Sequence, residues 1–445
     1  MTWRKVKLGD VLTESRILCG SPNANKRIRV KLNVAGVEKR PLENEIEGAT
    51  KQFIRNAGQF IYGKQNFHKG AFGVIPKELD GFETSADIPS FDLREDCLAG
   101  WIYYFFKIRS RYKALESLAR GVGSKRVHPE QIFPLEVPLP SIAVQAQLIQ
   151  KFQTLESISS QITAEQAHQL ELVRQLRQAF LREAMQGQLV EQDAADEPAA
   201  ILLGKIKAEK ERLIAGKKLR KDKPLPEIKA DEIPFEIPDN WTWCRLGEIV
   251  EMTRGRFSIR PRNDPRYFGG KYPFIQIGSL DDKGSIITEY SQTLNESGYK
   301  VSKYFPQGTI AVAIVGGTIG NLGVLGIDMC FTDSMVGITP NHNYNQMFVL
   351  AFLRFKQSAI RAESYQMSGQ PNIKIPTLAN LLLPLPPLAE QQRIVEKLEK
   401  LMAFCDALEA TIREGKAHAI SLLQVALKEA LDGAQYNEAA NQITT

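Results

Sequence analysis

The chain carries little of what metal, redox or membrane chemistry needs. Its five cysteines, Cys19, Cys97, Cys244, Cys330 and Cys405, are scattered, with no Cys-x-x-Cys pair, which excludes a structural zinc site of the usual spacing. An odd, dispersed set fits a reducing compartment. The five histidines, His68, His128, His168, His342 and His418, include no His-Glu-x-x-His and no metal spacing, so no metal site is expected. No apolar run approaches the roughly 18 residues of a membrane-spanning helix, and Met-Thr-Trp-Arg-Lys-Val-Lys has no apolar signal-peptide core. The expectation is a soluble, cytoplasmic protein.

Catalytic signatures are missing too. There is no G-x-G-x-x-G, no Gly-Lys-Ser/Thr phosphate loop and no nucleophile elbow. Asp264-Pro265-Arg266-Tyr267 approaches the tetrapeptide that methyltransferases use to hold a flipped base, but Arg266 stands where a second proline belongs. Pro238-Asp239 follows Glu227-Ile228-Lys229, the reverse of the order a Mg²⁺ nuclease needs. These absences argue against catalysis by this chain on its own, with no catalytic residue and no cofactor assigned to it.

Net charge is nearly absent as well. Lys and Arg number 57 against 51 Asp and Glu, a balance of +6 in 445 residues. Between Gly204 and Lys223 lie nine cations and three anions, so this one segment holds the whole surplus. The rest of the chain is neutral. A length of 445 suggests about three domains at about 150 residues each.

What the chain does have is an internal repeat. Pro138-Leu139-Pro140-Ser141-Ile142-Ala143-Val144-Gln145 recurs 246 residues later as Pro384-Leu385-Pro386-Pro387-Leu388-Ala389-Glu390-Gln391. Leu181-Arg182-Glu183-Ala184-Met185 recurs at the same offset as Leu427-Lys428-Glu429-Ala430-Leu431. Trp3 and Leu8-Gly9-Asp10-Val11 recur at an offset of 238, as Trp241 and Leu246-Gly247-Glu248-Ile249. Each copy therefore has a head of variable length and a tail of fixed length.

After their prolines the tails read as long helices. The second shows an alternating 4,3 spacing through Ile394, Leu398, Leu401, Cys405, Leu408, Ile412, Gly415, Ala419, Leu422 and Ala426. The same register in the first gives Leu148, Phe152, Leu155, Ile162, Val173 and Leu176, broken by polar Ser159, Gln166 and Gln169. At about 45 residues and 1.5 Å per residue each is a rod of roughly 65 to 70 Å. Equal rods in a chain of order head, rod, head, rod suit an antiparallel coiled coil with pseudo-two-fold symmetry. Two amphipathic helices packed each on its own head are the alternative.

The heads are short apolar runs with Gly, Pro and Asn turns, expected to be mixed α/β with much strand. The expected layout is a head at 1–137, a rod at 138–190, a basic helical linker at 191–240, a second head at 241–383, a second rod at 384–432 and a flexible tail at 433–445. Gly70-Ala71-Phe72-Gly73 matches Gly317-Thr318-Ile319-Gly320, each placed after a strand-like run and before a Thr-containing turn, Thr84–Asp87 or Thr332–Ser334. Gly70, Gly73, Gly317 and Gly320 are candidate recognition-loop glycines, with a plain tight hairpin as the alternative.

Within the heads, charge is locally dense. Lys26, Arg27, Arg29, Lys31, Lys39 and Arg40 face one anion, Glu38, in the first. Arg254, Arg256, Arg260, Arg262, Arg266 and Lys271 face one, Asp264, in the second, interleaved with Phe257, Tyr267 and Phe268. The planar fork of arginine suits guanine edges and phosphates, so these residues, with Tyr267, are the candidate DNA contacts. A solvated basic edge is the other reading, and the linker cations are equally open to phosphate contact or to plain solvation.

Two variable heads, each closing on a P-L-P-x-[LI]-A-x-Q turn into a long helix, resemble the specificity subunit of type I restriction–modification enzymes. Pro384 to Val395 is close to that family's signature, whereas the first copy has Ser141 for the second proline and Val144-Gln145-Ala146 for Glu-Gln-Gln. The resemblance implies target recognition domains that each read half of a split, asymmetric DNA site, with the helices setting the spacer. It also implies docking of two modification methyltransferase subunits, which carry S-adenosylmethionine, and of restriction motor-nuclease subunits, which use ATP and Mg²⁺. A coiled-coil scaffold whose heads bind proteins is the rival function.

Overall fold

Each head closes on itself through a ladder between its first and last strands. In the first, Arg4–Lys7 pairs antiparallel with Glu136–Leu139, setting Val6 opposite Val137; in the second, Thr242–Arg245 pairs with Leu382–Leu385, setting Cys244 opposite Leu383. Residue for residue these ladders are related by offsets of 238 and 246, the two offsets of the sequence repeat. The computed structural model describes residues 3–41, 50–121, 125–217, 219, 224–366 and 372–431. The expected tail at 433–445 and the linker cations Lys218, Arg220, Lys221 and Lys223 lie outside them.

Behind each ladder is an antiparallel sheet of the same order. The first runs Leu12–Ser15, Ser90–Leu93, Phe60–Tyr62, Phe72–Val74. The second runs Met252–Arg254, Met335–Ile338, Ile310–Ala313, Leu322–Leu325, and adds Ile286–Ile287 parallel to the last. A helix covers each sheet. Ala99–Lys107 buries Trp101, Ile102, Phe105 and Phe106, and Gln346–Gln366 buries Phe348, Val349, Phe352 and Leu353. Buried residues spaced by one, three and four places form one helical face.

The chain divides into two compact units, Met1–Gln169 with Thr411–Thr445, and Leu170–Ala410. This is not the division into head-plus-rod repeats that the sequence suggests. The first rod is the helix Ile142–Met185 and the second is Leu388–Leu431, and each ends in the unit built on the other repeat's head. Within the second unit the rods run antiparallel. Arg177 bridges Asp406 at 2.6 Å and Glu409 at 2.7 Å, Leu181, Ala184 and Met185 share a core with Ile394, Leu398 and Met402, and Gln192 donates to Glu390. In the first unit, Gln166 sits beside Gly415, and Leu423 packs on the core that holds Leu148 and Phe152.

The seam is shorter than the 4,3 spacing predicts. Leu148, Phe152, Val173, Ile394, Leu398 and Cys405 are buried, and Leu155, Leu176, Leu401, Leu408 and Ile412 are half-buried. Ile162 is exposed and Leu422 is 69% exposed, its neighbour Leu423 packing inward instead. An α-helix drifts about 20° per heptad against a strict 3.5-residue repeat. A register that fits one end of a long helix therefore points outward at the other.

The motif glutamine locks rod to head in both copies, by three hydrogen bonds in the first and two in the second. Gln145 Nε2 donates to the carbonyls of Pro140 (2.9 Å) and Asp96 (2.8 Å), and its Oε1 accepts from the Leu98 amide, just before the head helix. Gln391 Nε2 donates to Pro386 O (3.0 Å), and its Oε1 accepts from the Asn345 amide (2.8 Å), again just before the head helix. Both side chains are fully buried. The preceding position differs: Val144 in the first copy is Glu390 in the second, where the carboxylate accepts from Trp241 Nε1 at 2.8 Å and burial pushes its pKa up.

The linker is a core element of the second unit. Its helix is Ala199–Ala215, ended by Gly216, and so covers only part of the expected helical linker at 191–240. Ala199, Leu202, Leu203 and Ile206 are buried with Trp241, Leu246 and Ile249. The connector after it is pinned by buried Arg245, which donates to the carbonyls of Pro226 and Glu227 and pairs with Glu232 at 2.9 Å.

Candidate nucleic-acid interface

The arginine run of the second head is folded around one turn. At Gly255 a Cβ would lie 2.2 Å from the Thr332 carbonyl oxygen, so the chain leaving strand Met252–Arg254 presses directly on Thr332-Asp333-Ser334. Asp333 then collects the run. Its carbonyl accepts from Arg254 Nε at 2.6 Å, and its carboxylate meets Arg262 at 2.6 Å and Arg260 at 3.6 Å. Arg256 is turned away onto the Ser302 carbonyl at 2.7 Å. Arg266 pairs with Asp264 at 2.6 Å and holds that carboxyl below the usual carboxylate range, and Lys271 pairs with Glu296 at 3.2 Å.

Four of the six cations of this run therefore meet three carboxylates, and Arg254 and Arg256 lie on backbone carbonyls. Arg260, Arg262 and Arg266 keep exposed side chains, with that of Arg266 81% exposed. A guanidinium has five N–H donors, so one carboxylate contact leaves donors for a phosphate or a base edge. Tyr267 is half-buried against the cluster of Phe257, Phe274 and Leu294, as a support for the loop.

In the first head three of the six predicted cations form ion pairs within the protein. Arg27 pairs with Glu83 at 2.7 Å, and Glu83, with a side chain only 4% exposed, also accepts from the Asn23 amide and the Cys19 thiol. Arg27 is thus a structural cation, because a buried carboxylate needs a partner. Arg29 and Lys31 both contact Glu38 on the hairpin Ile28–Val30/Val37–Lys39. Lys26, Lys39 and Arg40 are exposed.

The glycine motifs are real but paired differently from the sequence alignment. The ladders set Ile61 opposite Gly73 and Ala311 opposite Gly323, so Gly73 corresponds to Gly323, and left-handed Gly70 to left-handed Gly320. Gly317 is exposed with open space around it and is not the counterpart of Gly70. Gly70 needs both its φ of +82° and its missing side chain, since a Cβ would lie 2.9 Å from Val34 N. Gly73 likewise faces Val37, so both glycines seat the basic hairpin on the sheet.

The linker-helix cations are matched locally: Lys205 with Glu197, Lys207 with Glu248, Arg212 with Glu209, and Lys210 on the Gly247 carbonyl. Reading charge runs along the sequence also missed three cations of the first head: Lys69 lies 40 residues before Arg109 and Lys113, which share one short helix, and the three line one cleft. The glutamine clamp was visible only as the last letter of the shared turn motif. Among the described residues, no group of three or more His, Cys, Asp and Glu could hold a metal ion, and no helix is long and apolar enough to cross a membrane.

Each of the two units thus holds an α/β head with a basic loop and portions of both long helices. Residues 238–415 match the family described as the type I restriction modification DNA specificity domain. The chain is 33% identical over 248 residues to the type I restriction enzyme EcoAI specificity subunit of Escherichia coli, covering 53% of this chain and 41% of that one. It is 25% identical over 336 residues to the EcoDI specificity subunit of Escherichia coli, covering 74% and 69%. The match spans less than half the length of the EcoAI subunit. In fold it resembles a chain from a solved type I R-M system, with a TM-score of 0.71, 17% identity and 98% of each chain covered. It also resembles the HsdS subunit from Thermoanaerobacter tengcongensis, with a TM-score of 0.53, 17% identity and 98% and 97% covered. The matched family model and these relatives alike are of type I restriction enzyme specificity subunits, and that is what the chain is similar to.

Proposed function

We propose that this chain supplies sequence recognition to a type I restriction–modification complex. Each head reads one half of a bipartite, asymmetric DNA site, and the rods set the unread gap. The observation that carries this is the doubled architecture: one ladder, one sheet order and one glutamine clamp occur twice, under heads whose cations are placed differently. Two modest half-site affinities joined in one chain act as a single specific site. Half-sites about 34 to 36 Å apart, one helical turn, would lie on the same face of the duplex.

The chemistry is assigned to partners. Two modification subunits with S-adenosylmethionine methylate an adenine in each half-site, and motor-nuclease subunits with ATP and Mg²⁺ cleave unmodified DNA, in the cytoplasm. The purified chain is expected to bind duplex DNA with log K falling steeply against log salt. A flat salt response would turn the reading toward a protein-binding scaffold.

A further inference from the structure

We infer that the first head carries a second cationic site, a cleft formed by Asn33, His68, Lys69, Arg109, Tyr112 and Lys113, and that it takes successive phosphates of the DNA backbone. The inference rests on the proposed DNA-recognition role and assigns a contact for it. Three separate segments build the cleft. The hairpin turn at Asn33 and Val34 is held on Phe67–Gly70 by two backbone hydrogen bonds, Asn33 N to Lys69 O at 2.9 Å and Val34 N to Gly70 O at 2.8 Å. The short helix Arg109–Ala114 completes the wall.

Two features mark this as a built surface. Val34 has a φ of +58°, a left-handed conformation that costs a β-branched residue energy and persists only where the surroundings impose it. Here they do, through the two backbone hydrogen bonds to Lys69 and Gly70 and the close approach that the missing Gly70 side chain allows. The second feature is charge. Among the described residues, Lys69, Arg109 and Lys113 are exposed with no ion pair, in contrast to Arg27, Arg29 and Lys31 on the same head. Among the described residues Glu116 is the one acid lining the cleft, and His68 Nδ1 is buried without a hydrogen-bond partner. Three cations against one anion in a concavity favour an oxyanion, and spread donors suit the repeated phosphates of a strand.

The test compares the full chain with a Lys69→Gln, Arg109→Gln, Lys113→Gln triple variant on duplex DNA of arbitrary sequence. These side chains are exposed, so the fold should persist, and an unchanged melting temperature checks it. Each lost phosphate contact lowers the slope of log K against log salt by about 0.9, so the triple variant should lose about 2 to 3 of slope. Arg109→Lys alone should keep the wild-type slope, and so should Lys205→Gln with Lys207→Gln on the linker helix. An unchanged slope in the triple variant, or an equal loss in the linker variant, overturns the site. Inorganic phosphate that binds the wild type saturably while the triple variant keeps its DNA slope would make the cleft a small-anion site, which also overturns it. A wild-type chain with no salt-dependent DNA binding would instead remove the functional reading beneath.

Discussion

The two heads share a frame and little else. Ladder, sheet order and glutamine clamp superpose by rule, yet the first head fills its sheet with rings and the second with aliphatic chains. In the first, Phe60, Tyr62, Phe67, Phe72, Phe91 and Phe106 are almost fully buried, and Tyr62 stacks on Phe67 at 4.3 Å. In the second, Ile310, Val312, Leu322, Val336 and Ile338 occupy the equivalent strands. The cations differ more. The first head commits Arg27 to a buried carboxylate and, among the described residues, leaves cleft cations without an ion pair; the second gathers Arg254, Arg260 and Arg262 around Asp333. Position in the frame is repeated, while the charged surface is particular to each head. That is the arrangement expected if each head reads a different sequence.

The rods give the sharpest contrast. Leu398→Ala removes a buried side chain and should cost about 2 to 5 kcal/mol, whereas Leu422→Ala, at another position of the same nominal seam, should change stability by less than about 0.5 kcal/mol in chemical denaturation. Equal costs would restore the full-length seam. The ion pairs of the two heads should separate nearly as well. Arg27→Ala strands Glu83 and should cost about 3 kcal/mol. Arg262→Ala, at an exposed pair, should cost less than about 1 kcal/mol while weakening DNA binding.

The clamp is where the heads should agree. Gln145→Ala and Gln391→Ala each leave a buried amide and carbonyls unpartnered, at about 1 to 3 kcal/mol in thermal melts. A large effect in only one copy would break the symmetry argument. The smallest expected effect is a pH difference. Glu390 has its pKa raised in the folded state above the ordinary 4.5, so its contribution favours the fold below 4.5 and is lost as pH rises through the raised value. Glu390→Gln should flatten that part of the melting profile between acidic and neutral pH. The first copy, with Val144 there, has no such group.

Much of the frame could be read from the sequence because it is carried by short, recurrent signatures. Trp3 with Leu8-Gly9 and Trp241 with Leu246-Gly247, set against the two P-L-P turns, define the ladders to the residue. Where packing overrides pattern, reading failed. The 4,3 spacing continued past the point where helical drift turns Leu422 outward. The glycine motifs aligned three residues off, because G-x-apolar-G matches by letters while the strand register pairs Gly73 with Gly323. Arg27 and Arg262 look alike in a charge count and differ in what a remote residue, Glu83 or Asp333, does to them. The cations of the cleft come from separate segments and form no run.

The central claim is that one chain reads two unlike half-sites through two heads. Mapping methylated adenines in DNA from cells that carry this chain with its modification subunits, before and after replacing residues 241–383 with another member's head, tests it most directly. The account predicts a bipartite site with a fixed gap, of which the exchange alters one half only. A continuous site, or an exchange that alters both halves, would contradict it.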